Sequence, residues 1–229
     1  MTRPEHPLVV RWLGRMGYTE ALALQEQIVA AKHFDPSLPD ELLLLEHEPV
    51  FTIGRTPDRS SLREAESLPH PLVTISRGGQ ATYHGPGQLV GYPILDLTLR
   101  GRDLHRYLRM LESFLVAICA RFAVTAERRE GLTGAWVGER KIASIGVGVR
   151  RWVSMHGFAL NVCGDLSPFE QITPCGIAGV AMTSLALETG ARIEVAAVAA
   201  AVAEQFPQFD KLLSEAGASL EAISDPAGT

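Results

Sequence analysis

The sequence has few cysteines, and their spacing argues against two common ways of stabilising a small fold. Among 229 residues there are three, Cys119, Cys163 and Cys175, and no two of them are in CxxC spacing. An odd count without that spacing suits neither a disulfide scaffold nor a structural zinc site. Free thiols are the rule in a reducing compartment, so we expect a cytoplasmic protein.

Long hydrophobic runs and a strong charge of one sign are also missing. No apolar run approaches the roughly 20 residues of a membrane span, and no apolar signal-peptide segment follows the first residues. The net charge of −5 makes wholesale nucleic-acid binding a poor hypothesis. The hydrophobic share of 46% and the length suit one globular domain. We expect a single domain over residues 1–229, with a compact core over about 8–212 and a frayed tail over 217–229.

The apolar pattern predicts an α+β fold, with helices packed on an antiparallel or mixed sheet. Helices are predicted at residues 19–33, 104–122 and 193–206, the second with Asp103 as its N-cap. Strands are predicted at residues 8–13, 41–45, 72–76, 89–97 and 182–187, with a short strand after a polar elbow within 46–55 and three consecutive antiparallel strands within 133–162. Pro93 has no N–H to donate, so its strand is predicted to lie at an edge or to be bulged.

The least ordinary stretch is a glycine-rich segment between two apolar runs. Residues 77–88 contain four glycines together with a proline, a histidine and an arginine. Glycine lets the backbone approach a ligand closely. A solvent-exposed linker is the alternative, but linkers rarely combine glycine with Arg, His and Tyr. Neither a GK[ST] motif nor a helix pattern follows, so we expect the wall of a binding site rather than a phosphate loop.

Cys175 has an unusual setting for a packed cysteine. Pro174 stiffens the chain before it and Gly176 leaves its sulfur uncrowded, whereas Cys119 falls in a helical apolar pattern. Cys163 ends a predicted strand, and we interpret it as structural. Cys175 is therefore the candidate nucleophile.

A cysteine nucleophile needs an activator, because an ordinary thiol is only a few per cent ionised at pH 7. His84 and His156 are candidates. Lys141 is a third, because strand alternation puts it at the charged end of an apolar row formed with Ala143, Ile145, Val147 and Val149. A desolvated lysine needs a partner, and beside a thiol it favours the thiolate and can shuttle a proton. The alternative is that Lys141 extends into solvent from the strand start.

Four separated blocks of the sequence resemble the octanoyltransferase family, also called lipoyl(octanoyl) transferases. The blocks follow the family order, and the glycine-rich block is the most specific. Glu48 is a minor departure from the family pattern. The blocks are Glu46-His47 with Gly54-Arg55, residues 77–88 with Tyr92, residues 138–146, and residues 173–177, while residues 156–162 also fit.

The resemblance implies transfer of an octanoyl or lipoyl group from acyl carrier protein to one lysine of a lipoyl domain. The acceptors would be lipoyl domains of 2-oxoacid dehydrogenase complexes and the glycine cleavage H protein. By this resemblance Cys175 forms the acyl-thioester and Lys141 activates it, with no ATP, metal or other cofactor. The fold would be similar to the catalytic domain of biotin and lipoate protein ligases.

The family's substrate-binding segments also have counterparts in this sequence. They correspond to Arg77, Gly78, Gly79, Gln80, Ala81, Thr82, Tyr83, His84, Ser144, Ile145, Gly146, Gly157, Phe158 and Ala159. An oxyanion hole is needed at each tetrahedral step. Backbone N–H groups near residues 78–79 and 176–177 are both candidates, and the sequence does not choose between them.

Other functions stay open. An ATP-dependent lipoate or biotin ligase on the same fold would need no thiol, a hydrolase would pair Cys175 with His84 or His156, and a non-catalytic acyl-carrier-binding module would dispense with Cys175. Five arginines are predicted to form a basic rim that steers acidic carriers, scattered solvated arginines being the alternative. They are Arg128, Arg129, Arg140, Arg150 and Arg151.

Overall fold

A computed structural model of the protein describes residues 6–54, 60–62, 68–75, 79–173 and 179–224, with side chains as far as residue 217. Its helices are α1 (Tyr18–Phe34), α2 (Leu104–Arg121), α3 (Leu185–Thr189) and α4 (Val195–Ser224). Its strands are β1 (Leu8–Met16), β2 (Asp40–His47), β3 (Val50–Ile53), β4 (Leu72–Thr74), β5 (Thr82–His84), β6 (Gln88–Ile94), β7 (Glu127–Arg129), β8 (Leu132–Val137), β9 (Arg140–Arg150), β10 (Val153–Asn161) and β11 (Ala181–Met182).

The strands form two sheets, one large and one small. The large sheet has the order β1-β2-β6-β10-β9-β8-β7, and β11 pairs with β9. Its pairs are antiparallel except β1 with β2 and β11 with β9. The small sheet has the order β4-β3-β5. The predicted α+β fold, a single domain with a mixed sheet and packed helices, is confirmed.

Alternating side chains of the large sheet enter two different apolar layers. On β2, Leu42 and Leu44 pack in the layer that contains α2 and α4, while Leu43 and Leu45 pack in the layer that contains α1. The small sheet is attached on the α1 side, where Tyr18 packs against β3. The two faces of the large sheet therefore have different coverings, and the cleft described below lies on the α1 side.

Helix α2 forms for the reasons that its sequence predicts. The Asp103 side chain accepts a hydrogen bond from the N–H of Arg106 and so caps the first turn. Its buried residues Tyr107, Leu111 and Leu115 recur at helical spacing and enter the large core. Cys119 is fully buried there, as expected.

The strand that contains Pro93 is neither at an edge nor bulged, so that prediction is wrong. Strand β6 lies between β2 and β10 in the interior of the large sheet. The pairs Gly91–Phe158 and Asp96–Val153, on either side of Pro93, keep one register. The ladder is interrupted at Pro93 without an inserted residue.

Side chains replace the hydrogen bonds that Pro93 removes. The Ser154 hydroxyl donates to the Pro93 carbonyl at 2.8 Å and accepts from the Leu95 N–H at 3.0 Å. On the facing strand, the N–H of His156 donates to Gln25 Oε1 of α1 at 2.8 Å. An interior proline is tolerated because these side chains satisfy the groups left unpaired by the ladder.

The C-terminal elements also differ from the prediction. In place of the strand predicted at 182–187, the chain forms the two-residue strand β11 and then helix α3. The helix begins there because the Ser184 side chain caps it by accepting a hydrogen bond from the Leu187 N–H. The closing helix α4 runs to Ser224, well past the end predicted at residue 206. Within the described part of the chain, no helix is both long and apolar enough to cross a membrane.

Candidate active site

A cleft opens on the α1 side of the large sheet, between β5, β9 and β10. Its lining contains ten of the predicted binding residues, together with Tyr18, Tyr92 and His156. The ten are Gly79, Gln80, Thr82, His84, Ser144, Ile145, Gly146, Gly157, Phe158 and Ala159. Segments far apart in sequence thus meet around one cavity because β9 and β10 are neighbours and the small sheet lies against them.

The remaining predicted residues lie elsewhere or outside the described residues. Ala81 and Tyr83 pack with Phe51 and Phe169 in the core of the small sheet. Strand alternation explains why neighbouring residues of β5 differ: Thr82 and His84 point toward the cleft, and Tyr83 points to the opposite side. The predictions for Arg77, Gly78 and Cys175 fall on residues outside the described ranges.

A β-bulge places Lys141 on the cleft side of the large sheet. Ala143 pairs with Ala135 and Lys141 pairs with Trp136, so Ile142 is an extra residue on β9. Ile142 and Ala143 both enter the core beneath α2. Because Ala135 and Trp136 are adjacent on β8 and face opposite sides, Lys141 faces away from that core. The predicted shared face of Lys141 with Ala143 is therefore wrong.

The Lys141 side chain is buried against an aromatic ring and a glycine. It is 1% exposed, so the alternative of a solvent-extended lysine is wrong. Its Nζ atom lies 5.3 Å from the centre of the Trp136 ring, a cation–π distance. A Cβ atom at Gly134 would lie 2.8 Å from Lys141 Cε, so Gly134 leaves the space that the lysine occupies. Glu112 Oε1 in turn accepts from the Gly134 N–H at 3.0 Å.

A buried chain of hydrogen bonds connects the glycine-rich segment to the β9 strand. Thr183 donates its N–H to the Lys141 carbonyl, and its own carbonyl accepts from Asn161 Nδ2 at 2.9 Å. Asn161 Oδ1 then accepts from Gln88 Nε2 at 2.9 Å, and Gln88 Oε1 lies 2.8 Å from His84 Nδ1. The Thr183 carbonyl can only accept a hydrogen bond, so it fixes the orientations of the Asn161 and Gln88 side-chain amides. Gln88 Oε1 is therefore the atom that faces His84 Nδ1, and Nδ1 carries a proton.

A second chain connects β1 to the cleft. His47 Nδ1 lies 3.1 Å from the Met16 carbonyl oxygen, which can only accept, so Nδ1 carries the ring proton. His47 Nε2 then accepts a hydrogen bond from the Tyr92 hydroxyl at 2.7 Å. Burial lowers the pKa of His47 to about 4, and the bond to Met16 opposes this only in part. His47 is therefore neutral at pH 7 and holds the Tyr92 hydroxyl in one orientation.

His156 has a backbone conformation that is uncommon for its residue type. Its φ angle is 58°, in the left-handed region, although it lies inside β10. The side chain is 2% exposed and lines the cleft beside Tyr92, with ring centroids 6.5 Å apart. Strained residues of this kind concentrate at functional sites.

Gly157 is a position where a side chain would not fit. A Cβ atom there would lie 2.3 Å from the Gly91 carbonyl oxygen and 2.5 Å from Pro93 Cδ. The backbones of β6 and β10 thus approach each other closely at the floor of the cleft. The absence of a side chain at Gly157 is therefore a packing requirement.

Both cysteines that the structure describes have raised pKa values. Burial raises the pKa of Cys119 to about 12. Cys163 is exposed, but partial desolvation raises the pKa of its thiol, and the negative charges of Glu46 and Glu194 raise it further. Neither is prepared to act as a thiolate at pH 7. Within the described residues, no group of three or more His, Cys, Asp or Glu side chains could hold a metal ion.

The five arginines do not form one rim. Arg140 begins β9 beside Lys141 and pairs with Glu188, and Arg129 lies over the Trp136 ring at 5.6 Å. Arg150 and Arg151 are at the other end of β9, about 33 Å from Arg140 at roughly 3.3 Å per residue. The prediction of a single basic rim is wrong, because the strand separates its members.

Comparisons with known proteins agree with this geometry. A profile described as "Lipoyl protein ligase A/B catalytic domain" matches residues 17–207. The chain belongs to this family. Members of the family that are named "Octanoyltransferase" include one from Citrifermentans bemidjiense, 54% identical over 199 residues, covering 87% of this chain and 95% of the relative. Another is from Geobacter sulfurreducens, 56% identical over 194 residues, covering 85% and 81%.

Solved structures support the fold of the family. A bipartite lipoate protein ligase studied with its E2 lipoyl domain from Thermoplasma acidophilum matches with a TM-score of 0.68 at 17% identity, covering 90% of this chain and 83% of that one. Lipoate-protein ligase A bound with ATP matches with a TM-score of 0.63 at 16% identity, covering 92% and 93%. The predicted similarity to the lipoate protein ligase fold is confirmed.

The site contains supporting residues to which sequence reasoning assigned no role. Gln88 and Asn161 were part of the quoted motifs, but their connection through Thr183 was not foreseen. A usable sign was present, because both are amide side chains within apolar strands and buried polar groups need partners. Gly134 and Trp136 gave no such sign, since their importance depends on the bulge at Ile142.

Proposed function

We propose that the protein transfers an octanoyl or lipoyl group from acyl carrier protein to a specific lysine of lipoyl domains, through a thioester on Cys175. The observation that carries the proposal is the buried Lys141 on the cleft side of β9, in a chain about half identical to proteins named octanoyltransferase. The activity would be that of an acyltransferase of protein lipoylation.

The reaction consists of two acyl exchanges. In the first, the Cys175 thiolate attacks the carbonyl carbon of the carrier thioester, and the carrier thiol leaves with a proton. In the second, the lysine amine attacks the new thioester, the C–N bond forms, and the C–S bond to Cys175 breaks. Thioester exchange is nearly isoenergetic and amide formation is downhill, so we propose that neither ATP nor a metal takes part.

Lys141 would activate the thiol and handle protons. Lowering a thiol pKa by two units needs about 2.7 kcal/mol of differential stabilisation. A nearby cation in a half-buried site supplies an interaction of that size. The fixed position of Lys141 between Trp136 and Gly134 supports this role, because a mobile lysine would lose much of the interaction to solvent.

The choice of Cys175 is supported by the state of the other two thiols. Cys119 is fully buried in the helical core with a pKa of about 12. Cys163 is exposed, with a raised pKa. Cys175 is the cysteine with the proline and glycine neighbours that leave a sulfur accessible.

The cleft would hold the acyl chain. Gly146 and Ala159 leave space along β9 and β10, where Ile145 and Phe158 also line the cleft. Burying six methylenes at about 0.8 kcal/mol each gives roughly 5 kcal/mol as an upper bound. Arg77 and Gly78 would complete the wall, with the neighbouring backbone N–H groups as one candidate oxyanion hole.

The proposed partners are octanoyl-acyl carrier protein as donor, and as acceptors the lipoyl domains of 2-oxoacid dehydrogenase complexes and the glycine cleavage H protein. A cytoplasmic location is part of the same proposal.

Mass spectrometry of the intact protein tests the proposal. After addition of octanoyl carrier without ATP, we expect a single octanoyl adduct on Cys175, which then passes to a lipoyl domain as an amide. The Cys175→Ala variant should form no adduct, and Cys163→Ala, the matched control, should behave as the unmodified protein. Normal turnover by Cys175→Ala would overturn the mechanism. An absolute need for ATP would indicate a ligase, and release of free octanoate would indicate a hydrolase. Binding of the carrier without an adduct would indicate a carrier-binding module.

A further inference from the structure

We propose that Glu112, on the opposite side of the large sheet from the cleft, is a positioning residue for Lys141. It acts through Gly134 of β8, because it holds the Gly134 N–H and the missing side chain of Gly134 leaves the space that the lysine occupies. The inference rests on the proposed function, in which Lys141 activates the Cys175 thiol. It makes acyl transfer depend on a residue of α2 that belongs to the core beneath the sheet.

Glu112 is an acidic residue on an otherwise apolar part of the buried face of α2. Leu111 and Leu115 lie on the same face, and all three side chains are fully buried. Burying a carboxylate is unfavourable unless it is paired, so packing alone would favour an apolar residue here. Two contacts compensate it: Oε1 accepts from the Gly134 N–H at 3.0 Å, and Oε2 lies 2.9 Å from Arg109 Nη1. The first of these contacts connects α2 to the sheet.

Regular strand pairing does not determine the backbone around Gly134. Between two of its pairs with β7, β8 advances four residues, from Leu132 to Trp136, while β7 advances two. On its other side, β8 faces the bulge at Ile142 of β9. Gly134 lies between these irregularities with a φ of 125°, which other residues rarely adopt. Its N–H donates to a side chain, so the bond to Glu112 fixes the direction in which this peptide group points.

The direction of that peptide group matters because Lys141 passes beside it. A Cβ atom at Gly134 would lie 2.8 Å from Lys141 Cε and 3.4 Å from Nζ, so the lysine lies against the side of Gly134 that has no side chain. The Ala143 carbonyl oxygen is closer still, at 2.4 Å from that Cβ position. Little room is left for the backbone to turn without displacing the lysine from the Trp136 ring. Lys141 therefore depends on the bond between Glu112 and Gly134.

Substitutions at Glu112 separate its hydrogen bond from its charge. Glu112→Gln keeps an oxygen that can accept from the Gly134 N–H but has no charge. Glu112→Asp keeps a carboxylate but is one methylene too short to reach the same N–H. Glu112→Met keeps the volume without an acceptor, so the comparison with Glu112→Gln remains if the aspartate variant does not fold.

The first measurement is the rate of octanoyl-enzyme formation from octanoyl carrier. We expect Glu112→Asp and Glu112→Met to lower this rate by at least about 10-fold, because a small misplacement of a group at the reacting centre is costly. Glu112→Gln should retain at least about a third of the rate. Ile118→Ala, which removes apolar contacts at another fully buried position of α2, is the control for lost stability.

The second measurement needs no octanoyl substrate. Alkylation of Cys175 by iodoacetamide is followed against pH at the Cys175 peptide by mass spectrometry. A displaced Lys141 no longer favours the thiolate, so the pH of half-maximal alkylation should rise by about one unit in Glu112→Asp and Glu112→Met, as in Lys141→Ala. It should stay within about 0.3 units of the unmodified protein in Glu112→Gln and Ile118→Ala.

Two results would overturn the inference and leave the proposed function intact. One is a loss of stability in Glu112→Met with an unshifted alkylation profile, as expected of a residue that only stabilises the core. The other is an equal shift in Glu112→Gln and Glu112→Met, since the charge of Glu112 and not its bond to Gly134 would then matter. If the unmodified protein forms no octanoyl-enzyme, the proposed function fails, and this inference fails with it.

Discussion

The ammonium nitrogen of Lys141 lies 5.3 Å from the centre of the Trp136 ring, and both side chains are 1% exposed. A cation over an aromatic face that is shielded from water gains about 2 kcal/mol. The Trp136 ring therefore holds this lysine in one position on the cleft side of β9. This arrangement depends on the missing side chain of Gly134.

Gly134→Ala should lower both stability and transferase activity, because Gly134 has a φ of 125° that other residues rarely adopt. The new methyl group would lie 2.8 Å from Lys141 Cε and 2.4 Å from the Ala143 carbonyl oxygen, so the lysine must leave the ring. We expect a loss of at least about 10-fold in kcat, equivalent to roughly 1.4 kcal/mol in the barrier. Steady-state kinetics with octanoyl carrier checks this. Gly138→Ala is the control, because Gly138 also has a positive φ, of 55°, but has open space around its Cβ position.

The stability of the protein should decrease between pH 7 and pH 5 because of His47. Its pKa is about 4 in the folded protein and about 6.5 when unfolded, so in this range the unfolded chain binds a proton that the folded chain does not. Stability contributed by the neutral form is present above pH 6.5 and is lost as the pH falls toward 4. We expect about 2 kcal/mol of the loss by pH 5 to come from this residue.

Urea unfolding of the His47→Gln variant isolates that contribution. Glutamine can donate to Met16 and accept from Tyr92, but it does not titrate. The free energy of unfolding of His47→Gln should fall less than that of the unmodified protein between pH 7 and pH 5, by about 2 kcal/mol. Parallel pH dependences of the two proteins would show that His47 is not the titrating group.

The sequence predicted the elements better than it predicted the orientation of their side chains. The helices at α1 and α2 and the three-stranded run β8 to β10 follow from apolar periodicity and an N-cap, which are local properties. The side of the sheet that Lys141 faces depends on one extra residue, Ile142, opposite β8. A bulge of this kind leaves the apolar pattern of β9 unchanged, so alternation alone gave the wrong face.

Motif residues were also easier to locate than the contacts that support them. Ten predicted residues line one cleft because their segments converge on neighbouring strands. The interior position of Pro93 was missed because Ser154 and Gln25, distant in sequence, supply the hydrogen bonds. In both cases the missing information was a pairing between distant residues rather than a local preference.

Asp40→Asn should destabilise the fold strongly. Asp40 is fully buried, with Lys32 Nζ at 2.7 Å and Arg100 Nη1 at 2.8 Å from its two carboxylate oxygens. Removing its charge leaves two buried cations with less compensation, which typically costs about 3–5 kcal/mol. Urea unfolding at pH 7 measures the cost. Glu204→Gln, which breaks the exposed pair with Arg121, should change stability by less than about 1 kcal/mol. Similar losses of stability in the two variants would contradict the structural role given to Asp40.

Electrostatic steering of an acidic carrier should depend on Arg140 and not on Arg150 or Arg151. Arg140 is next to Lys141, whereas the other two are about 33 Å away along β9, beyond the roughly 8 Å screening length at physiological salt. Arg140→Glu should lower kcat/KM for octanoyl carrier by about 3–10-fold at low salt, with a smaller effect at high salt. Arg150→Glu should change it by less than about twofold. Arg140 also pairs with Glu188, so Arg140→Gln provides the comparison. If Arg140→Gln lowers kcat/KM as much as Arg140→Glu, and the loss does not depend on salt, the Arg140–Glu188 pair positions β9 and does not steer the carrier.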